Sequence, residues 1–372
     1  MLIGIPREIK NHEYRVGLTP SSVRELAAAG HRVIVEHNAG SGIGASDAEY
    51  EKAGAGIVQG ADEVFASADM VVKVKEPQTA ERAQLRPGQL LFTYLHLAPD
   101  PQQCKELVDS GAVCIAYETV TQAGGGLPLL APMSEVAGRM SVQAAAHSLE
   151  RAHGGRGILL GGVPGVAPAK IVILGAGVVG SNAAQIAVGT GAQVVVIDRS
   201  LDALRRMDRL LGARVITLFS NRDNIEEQVL SADAVIGGVL IPGAAAPKLV
   251  SRELLSRMKP GSVVVDVAID QGGCFETSRA TTHADPTYVV DGVVHYCVAN
   301  MPGGVPRTST YALNNATLPF VLALANKGWR QALKDDAHLR NGLNVADGKV
   351  TCLEVANDLR YVYHAPQTLL AA

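Results

Sequence analysis

Four short apolar runs in this chain break off at proline or glycine just beyond a side chain that can do chemistry. Residues 70–77, Met-Val-Val-Lys-Val-Lys-Glu-Pro, end at Lys75, and 90–99, Leu-Leu-Phe-Thr-Tyr-Leu-His-Leu-Ala-Pro, carry His96. Residues 262–273 place Asp270 before Gln-Gly-Gly, and 295–303 place Asn300 before Met-Pro-Gly. A lysine holds a carboxylate as a point charge. A histidine, with an ordinary pKa of about 6.5, moves protons in both directions near neutral pH. An ionised aspartate stabilises a cation developing beside it. In open α/β sheets ligands bind outside the carboxyl ends of the strands, where all four residues fall on this reading.

A fifth segment says what they could act on. Residues 170–180, Lys-Ile-Val-Ile-Leu-Gly-Ala-Gly-Val-Val-Gly, form an apolar run leading into GxGxxG, and 194–198, Val-Val-Val-Ile-Asp, end in an acid 18 residues after the third glycine. Gly175 allows a tight turn, Gly177 lets backbone approach a pyrophosphate, and Gly180 lets helix pack closely on strand. The following helix, opening at Val178 and Val179, offers unpaired N–H groups and partial positive charge to phosphates. Asp198 accepts hydrogen bonds from a ribose 2′-hydroxyl and repels a 2′-phosphate, so the expected cofactor is NAD rather than NADP. Arg199 reads as a solvated charge beyond the strand end. Lys75, His96, Asp270 and Asn300, facing across a cleft, could then hold a small acid against a nicotinamide ring. Plainer readings stay open at this point. One of Lys73 and Lys75, which share a face by strand alternation, is merely a solvated strand-end lysine. His96 is a hydrogen-bonded core histidine, Asp270 a turn acid and Asn300 a turn former. Asp266, four positions earlier on the same face as Asp270, caps or pairs structurally.

The elements that must position these residues alternate. Strand-like runs at 2–6, 32–36, 70–75, 90–97 and 113–117 are separated by helical stretches such as 20–29, with Thr19 as N-cap, and 101–110, with Asp100 as N-cap. Such alternation implies parallel βαβ units. A turn-rich segment, 124–133, leads to a helix over 134–151. Six further strands are expected at 171–174, 194–198, 214–219, 234–240, 262–270 and 288–298, enough for a complete Rossmann unit. From Ser309 to about Arg340 the pattern becomes one long helix, kinked at Pro319, with a short tail after it. That helix is too long for another crossover and is expected to return to the first domain. The expected fold class is α/β: two doubly wound domains, one a Rossmann dinucleotide-binding domain, with a cleft between them. The expected boundaries are 1–130 plus 305–372 for a discontinuous substrate domain and 131–304 for the NAD-binding domain.

Composition narrows the class. A chain of 372 residues, 47% hydrophobic and 19% charged, suits a globular enzyme of about two domains and excludes a disordered chain. A net charge of −3 makes no electrostatic case for nucleic acid or an anionic membrane as partner. The most apolar stretch, 157–180, is interrupted by Pro164, Pro168 and Lys170, so no membrane span is expected. The N-terminus reads as a first strand and lacks the pattern of a signal peptide. The five cysteines, 104, 114, 274, 297 and 352, form no CxxC and mostly lie in apolar runs. They are expected to be reduced, buried thiols, which points to a cytoplasmic location.

Several ordered motifs resemble one family. Residues 4–20, Gly-Ile-Pro-Arg-Glu-Ile-Lys-Asn-His-Glu-Tyr-Arg-Val-Gly-Leu-Thr-Pro, are similar to the N-terminal signature of alanine dehydrogenases, shared in part by the NAD-binding subunits of proton-translocating transhydrogenases. The likeness continues through Val72-Lys-Val-Lys-Glu-Pro77, Tyr94-Leu-His-Leu-Ala98, Ala131-Pro-Met-Ser-Glu-Val-Ala-Gly138, the GAGVVG unit, Asp266-Val-Ala-Ile-Asp-Gln-Gly-Gly273 and Val298-Ala-Asn-Met-Pro302. It implies reversible, NAD-dependent oxidative deamination of L-alanine to pyruvate and ammonium by a cytosolic homohexamer. It also implies roles: Arg15 and Lys75 on the substrate carboxylate, His96 as acid/base, and Asp270 assisting from the cofactor domain. Ser134, Val178, Val179, Asp198, Ser220, Val239, Leu240 and Arg279 would line the NAD site. Val267, Ala268, Ile269 and Asp270, with Val298, Ala299, Asn300 and Met301, would complete it. The chain departs from the family twice. Ala203 stands where many members carry a basic residue near the adenosine, with Arg205 or Arg206 as possible substitutes. Ala323 and Lys327 stand where some members place an acid and a histidine, so no metal is expected there.

Two other functions fit part of the pattern. The NAD(H)-binding component of a transhydrogenase would need a membrane partner but no acid/base pair. A non-enzymatic regulator that closes on NAD would not need one either. The same chemistry on serine or 2-aminobutyrate is a closer variant, since an apolar pocket separates one methylene by only about 1–3 kcal/mol.

Overall fold

The computed structural model describes residues 1–239 and 246–371. Its strands are, in chain order, β1 (Leu2–Ile5), β2 (Arg32–Glu36), β3 (Ala55–Val58), β4 (Met70–Val72), β5 (Leu90–Thr93), β6 (Val113–Ala116), β7 (Lys170–Leu174), β8 (Gln193–Asp198), β9 (Ile216–Phe219), β10 (Ala234–Gly237), β11 (Val263–Asp266), β12 (Thr287–Val290), β13 (Val293–Tyr296), β14 (Leu343–Ala346) and β15 (Lys349–Val350). The chain divides into two compact units, one of Met1–Met133 with the chain from Val305 onward, the other of Ser134–Gly304.

The first unit holds one sheet in the order β15-β14-β6-β5-β4-β1-β2-β3. Strands β6 through β3 run parallel, and β14 and β15 are antiparallel additions at the β6 edge. β4, β5 and β6 are buried along their whole length, as strands covered on both faces must be. Thr19 caps the helix Pro20–Ala28 by accepting the Ser22 N–H, and Asp100 caps Pro101–Ser110 by accepting the Gln103 N–H, both as the cap chemistry predicts. Helix Pro306–Lys327 returns to this unit. Asn314 on it accepts the Thr19 N–H at 2.9 Å and donates to the Gly17 carbonyl at 2.6 Å, tying the late chain to the early one.

Three expectations are corrected here. The runs at 70–75 and 90–97 leave the sheet early, at Val72 and Thr93, so Lys75 and His96 lie past the strands and not within them. His96 has φ +49°, which no strand accommodates. The single helix expected from Ser309 is three, Pro306–Lys327, Trp329–Asp335 and Ala337–Arg340, parted at Gly328 (φ +73°) and Asp336, while Pro319 lies inside the first. The tail is no mere tail: Asp347 and Gly348, both at positive φ, turn β14 into β15.

The second unit holds a seven-stranded sheet, β12-β13-β11-β10-β7-β8-β9. All neighbours are parallel except β12 against β13. Strand order reverses beside β7, the switch point at which such sheets bind ligands. The run 288–298, expected as one strand, is a hairpin folded at Asp291-Gly292 (φ +49° and +78°). The Asp-Gly pair inside it was the available signal. The run 262–270 is a strand only to Asp266, and Ile269–Gln271 form a single tight helical turn. All five cysteines are buried and free. Among the described residues no helix is long and apolar enough to cross a membrane.

Candidate active site

In the first unit, β5, β4 and β1 are adjacent and parallel, so the segments leaving their carboxyl ends emerge side by side. These segments carry His96, Lys75 and Arg15. Tyr94, 3% exposed, donates its hydroxyl hydrogen to the Leu129 carbonyl at 2.5 Å, and the His96 ring lies parallel to it with centroids 5.7 Å apart. Glu118, just past β6, accepts the His96 N–H at 2.6 Å and the Leu95 N–H at 3.2 Å. Its carboxylate also stands 3.8 Å from His96 Nδ1. Glu118 thus holds a non-glycine residue in the left-handed region, a conformation that persists only where its surroundings enforce it. The His96 side chain is 45% exposed, which removes the core-histidine reading.

Arg15 is buried, and Glu13 takes its Nε at 2.7 Å and Nη2 at 2.6 Å in a two-pronged pair; Nη1 lies 3.0 Å from Met133 Sδ. Burial works against its charge, but the hydrogen bond and charge of Glu13 outweigh it and raise the pKa further. The two lysines have separate fates. Lys73 is fully buried between Glu8 (3.0 Å) and Glu81 (2.7 Å), so it is an interior counter-ion and not the solvated lysine that alternation allowed. Burial opposes its charge, and the two carboxylates overcome that and raise its pKa. Glu8 also accepts the Val74 N–H at 2.7 Å and the Lys75 N–H at 3.3 Å, which fixes the backbone that presents Lys75. The Lys75 carbonyl accepts the Thr93 hydroxyl hydrogen at 3.0 Å, and its ammonium lies 4.0 Å from Glu76 with the side chain only 14% exposed.

Sequence reasoning missed Glu8, Glu13 and Glu118. Glu118 was findable: it follows β6 as Lys75 follows β4, and the strand-exit rule applies equally to it. Glu8 and Glu13 lie in a segment without secondary structure, where no periodicity marks them.

In the second unit the expected cofactor residues fall along one edge of the sheet. Ser220, Asp198, 175–180, Val239, Val267 to Asp270, and Val298 to Met301 follow β9, β8, β7, β10, β11 and β13 at their carboxyl ends. Gly175 has φ +104°. A Cβ at Gly180 would stand 1.8 Å from the Gly175 carbonyl oxygen, whereas one at Gly177 would meet nothing within 4 Å. The helix Val178–Gly189 begins at Gly177 without a side-chain cap. Open space above a glycine and uncapped helix N–H groups are what a pyrophosphate requires, so these residues fit NAD. Asp198 accepts the Ala176 N–H at 2.6 Å and the Ser200 N–H at 2.7 Å, which locks the glycine turn to β8; an ionised carboxylate has further lone pairs for a ribose. Ser220 N–H donates to the Asp198 carbonyl at 3.0 Å. Ser134 lies in the first turn of the helix Ala131–Ser148, whose Gly138 packs so tightly on Val179 that a Cβ would stand 2.2 Å from its carbonyl oxygen. Asp270 is exposed, Asn300 has φ +63°, and the Arg279 guanidinium lies 4.0 Å over the Tyr288 ring. Ala203 is buried, Arg205 pairs with Asp202 at 2.8 Å, and Arg206 and Arg199 are exposed. Leu240 lies outside the described residues.

Gly180→Ala is expected to part helix from strand, because the obstacle is backbone and cannot swing away. Fluorescence titration should show NADH affinity reduced at least about tenfold, with some loss of stability, about 1–3 kcal/mol for overpacking. Wild-type NADH affinity in this variant would mean the glycine turn does not carry the phosphates.

Asp266 does not belong with Asp270. It is buried, and its Oδ2 accepts the Cys274 N–H at 2.8 Å and the Ser278 hydroxyl hydrogen at 2.5 Å, so it organises the loop after β11. Among the described residues its buried Oδ1 has no hydrogen-bond partner. Burial pushes its pKa up, and the donors on Oδ2 pull it back only in part. The folded state therefore binds a proton more tightly than the unfolded chain does. Its stabilising effect is present below the unfolded value of about 4 and is lost as pH rises through the raised folded value. Urea midpoints of wild type, relative to Asp266→Asn, are expected to fall as pH rises through that window. A difference that stays constant with pH would show that this carboxyl is not raised.

Comparison with known proteins places the chain in a family. The family model described as "Alanine dehydrogenase/PNT, N-terminal domain" matches residues 4–137, and "Alanine dehydrogenase/PNT, C-terminal domain" matches 141–353. The chain is 63% identical to an alanine dehydrogenase of Halomonas elongata over 97% of this chain and 98% of that one. A solved L-alanine dehydrogenase superposes with a TM-score of 0.94 at 54% identity, covering 97% of this chain and 99% of that chain. A transhydrogenase from Sinorhizobium meliloti is more distant, with a TM-score of 0.81 at 27% identity over 95% and 99%. With both halves matched and relatives above half identity along nearly its whole length, the chain belongs to the alanine dehydrogenase/PNT family.

Proposed function

We propose that this protein is an NAD-dependent amino-acid dehydrogenase that converts L-alanine to pyruvate and ammonium and runs the reverse amination. The observation that carries the reading is His96: an exposed imidazole on a left-handed backbone held by Glu118, beside the strand exit that presents Lys75. A transhydrogenase component needs no such acid/base group, and the transhydrogenase relative stands at half the identity of the solved alanine dehydrogenase.

The chemistry assigns each residue a task. Arg15 and Lys75 supply positive charge to the substrate carboxylate, and Glu13 and Glu8 fix where those charges sit. His96 takes a proton from the substrate ammonium, so that the nitrogen lone pair can drive hydride from Cα. Bound NAD supplies the hydride acceptor, and the residues that would hold it are 175–180 with Asp198, Ser220, Val239, Asn300 and their neighbours. After releasing that proton to solvent, His96 deprotonates the water that attacks the iminium carbon and passes this proton to the carbinolamine nitrogen; it then takes the hydroxyl proton as the carbonyl forms and ammonia departs, and that proton makes the leaving ammonia ammonium. Asp270 would supply the carboxylate that stabilises the cationic iminium. The first unit serves as substrate domain and the second as NAD domain. A cytoplasmic location and a homohexameric assembly are part of the same proposal, supported by five buried free thiols and by family membership.

The test is absorbance at the NADH band with purified protein, NAD and L-alanine at alkaline pH, with D-alanine and L-serine as controls. NADH is expected with L-alanine and much less with either control. Protein that binds NADH yet produces none with any amino acid would overturn the dehydrogenase reading in favour of a transhydrogenase component.

A further inference from the structure

The helix Ala131–Ser148 ends in a cluster that the reaction does not use. His147 Nδ1 lies 3.6 Å from one oxygen of Glu150, and His153 Nε2 lies 3.6 Å from the other. The two imidazole rings are 3.8 Å apart between centroids, and one ligand atom from each of the three residues lies within 4.8 Å of the others. All three are exposed, and among the described residues this is the one such grouping of three. His147 is 13 residues along the helix from Ser134, about 20 Å at 1.5 Å per residue, so the cluster is remote from the cofactor residues at the other end.

The backbone that carries it is constrained. The Glu150 carbonyl accepts the N–H groups of both His153 (3.0 Å) and Gly155 (3.1 Å), and the His147 carbonyl accepts the Glu150 N–H at 3.2 Å. Gly154 takes a left-handed turn at φ +85°. Gly155 then returns so close to the helix end that a Cβ would stand 2.3 Å from the Ser148 carbonyl oxygen. These bonds fix the backbone from which the three exposed side chains project. The cluster also sits at the helix carboxyl end, where the helix dipole favours a cation.

We infer that His147, Glu150 and His153 form a surface site for a zinc-class divalent cation, with water completing a four-coordinate shell. Two neutral imidazole nitrogens and one carboxylate oxygen are a zinc ligand set. Metal–ligand distances of about 2.0–2.2 Å put ligands about 3.3 Å apart around a tetrahedral ion, so the set, whose ligand atoms lie within 4.8 Å of one another, would have to draw in by side-chain rotation as the ion binds. Imidazole selects zinc, nickel and copper over magnesium and calcium, which prefer all-oxygen shells. Binding would tie the end of the helix Ala131–Ser148 to the turn that follows it.

The test is calorimetric titration of the chelator-treated full-length protein with zinc chloride, and separately with magnesium chloride. Wild type is expected to bind one zinc per chain at this site and no magnesium. The surface variant H147A/H153A is expected to lose zinc affinity by at least about tenfold, and E150Q to weaken it, while NADH binding and turnover stay at wild-type values. Zinc should raise the thermal midpoint of wild type and not of the double variant. No zinc uptake by wild type, or an affinity in H147A/H153A within about threefold of wild type, would overturn the assignment.

Discussion

His96→Ala is expected to lower kcat by about 10²–10⁴-fold, the usual worth of a positioned general acid–base group, while NADH affinity stays at the wild-type value. Among the described residues the imidazole makes no hydrogen bond; the contacts that fix this segment go to its backbone N–H through Glu118 and to Tyr94 by ring packing. Removing the ring therefore takes away the proton carrier and leaves the fold in place. A positive φ also becomes no easier for alanine than for histidine, so backbone strain is conserved in the comparison. The measurements are steady-state kinetics in both directions and an NADH fluorescence titration. Near-normal kcat in this variant would remove His96 from the reaction. Small amines or imidazole added in solution should restore part of the lost rate if proton transfer is what is missing.

The second large effect separates the two lysines. Lys73→Met leaves Glu8 and Glu81, both almost fully buried, without their counter-ion. Breaking a buried pair by deleting one partner costs about 3–5 kcal/mol, so the urea midpoint of the first unfolding transition should fall sharply. The triple variant with Glu8→Gln and Glu81→Gln should regain part of that loss, because the amides keep the hydrogen-bond acceptors and drop the charges. Lys75→Met is expected to do the reverse. Its effect on stability should be small by comparison, and KM for L-alanine should rise about tenfold or more, since a charge-assisted hydrogen bond to a carboxylate is worth about 1.5–3 kcal/mol. If Lys73→Met left stability unchanged and raised KM, the roles of the two residues would be exchanged.

Much of this protein was legible before any fold was known. The glycine turn, the acid that closes β8 and the placing of Lys75, His96, Asp270 and Asn300 in segments that leave strand ends follow from local rules. A parallel strand must be apolar, must stop at a breaker, and must release its next polar side chain at one edge. What failed did so for physical reasons. The run 288–298 satisfies strand propensity throughout, and the hairpin inside it turns on two residues at positive φ. β14 owes its existence to pairing with β6, more than two hundred residues earlier in the chain, a partnership with no local trace. The long helix after Val305 breaks at Gly328 and Asp336, not at the proline, because a helix interior tolerates one missing N–H when packing holds the remainder.

The sequence by itself determined the class of the second unit, the cofactor chemistry and the residue types available for catalysis, because these rest on contacts within a few residues of each other. Tertiary structure alone decided which lysine is an interior counter-ion and which stands past the β4 exit, and it made Glu118 the partner of His96. Alternation along a strand assigns a side chain to a face and says nothing of how deeply that face is covered. Burial and charge pairing depend on which distant segments pack there, and those partners settle whether a charge serves the fold or the substrate.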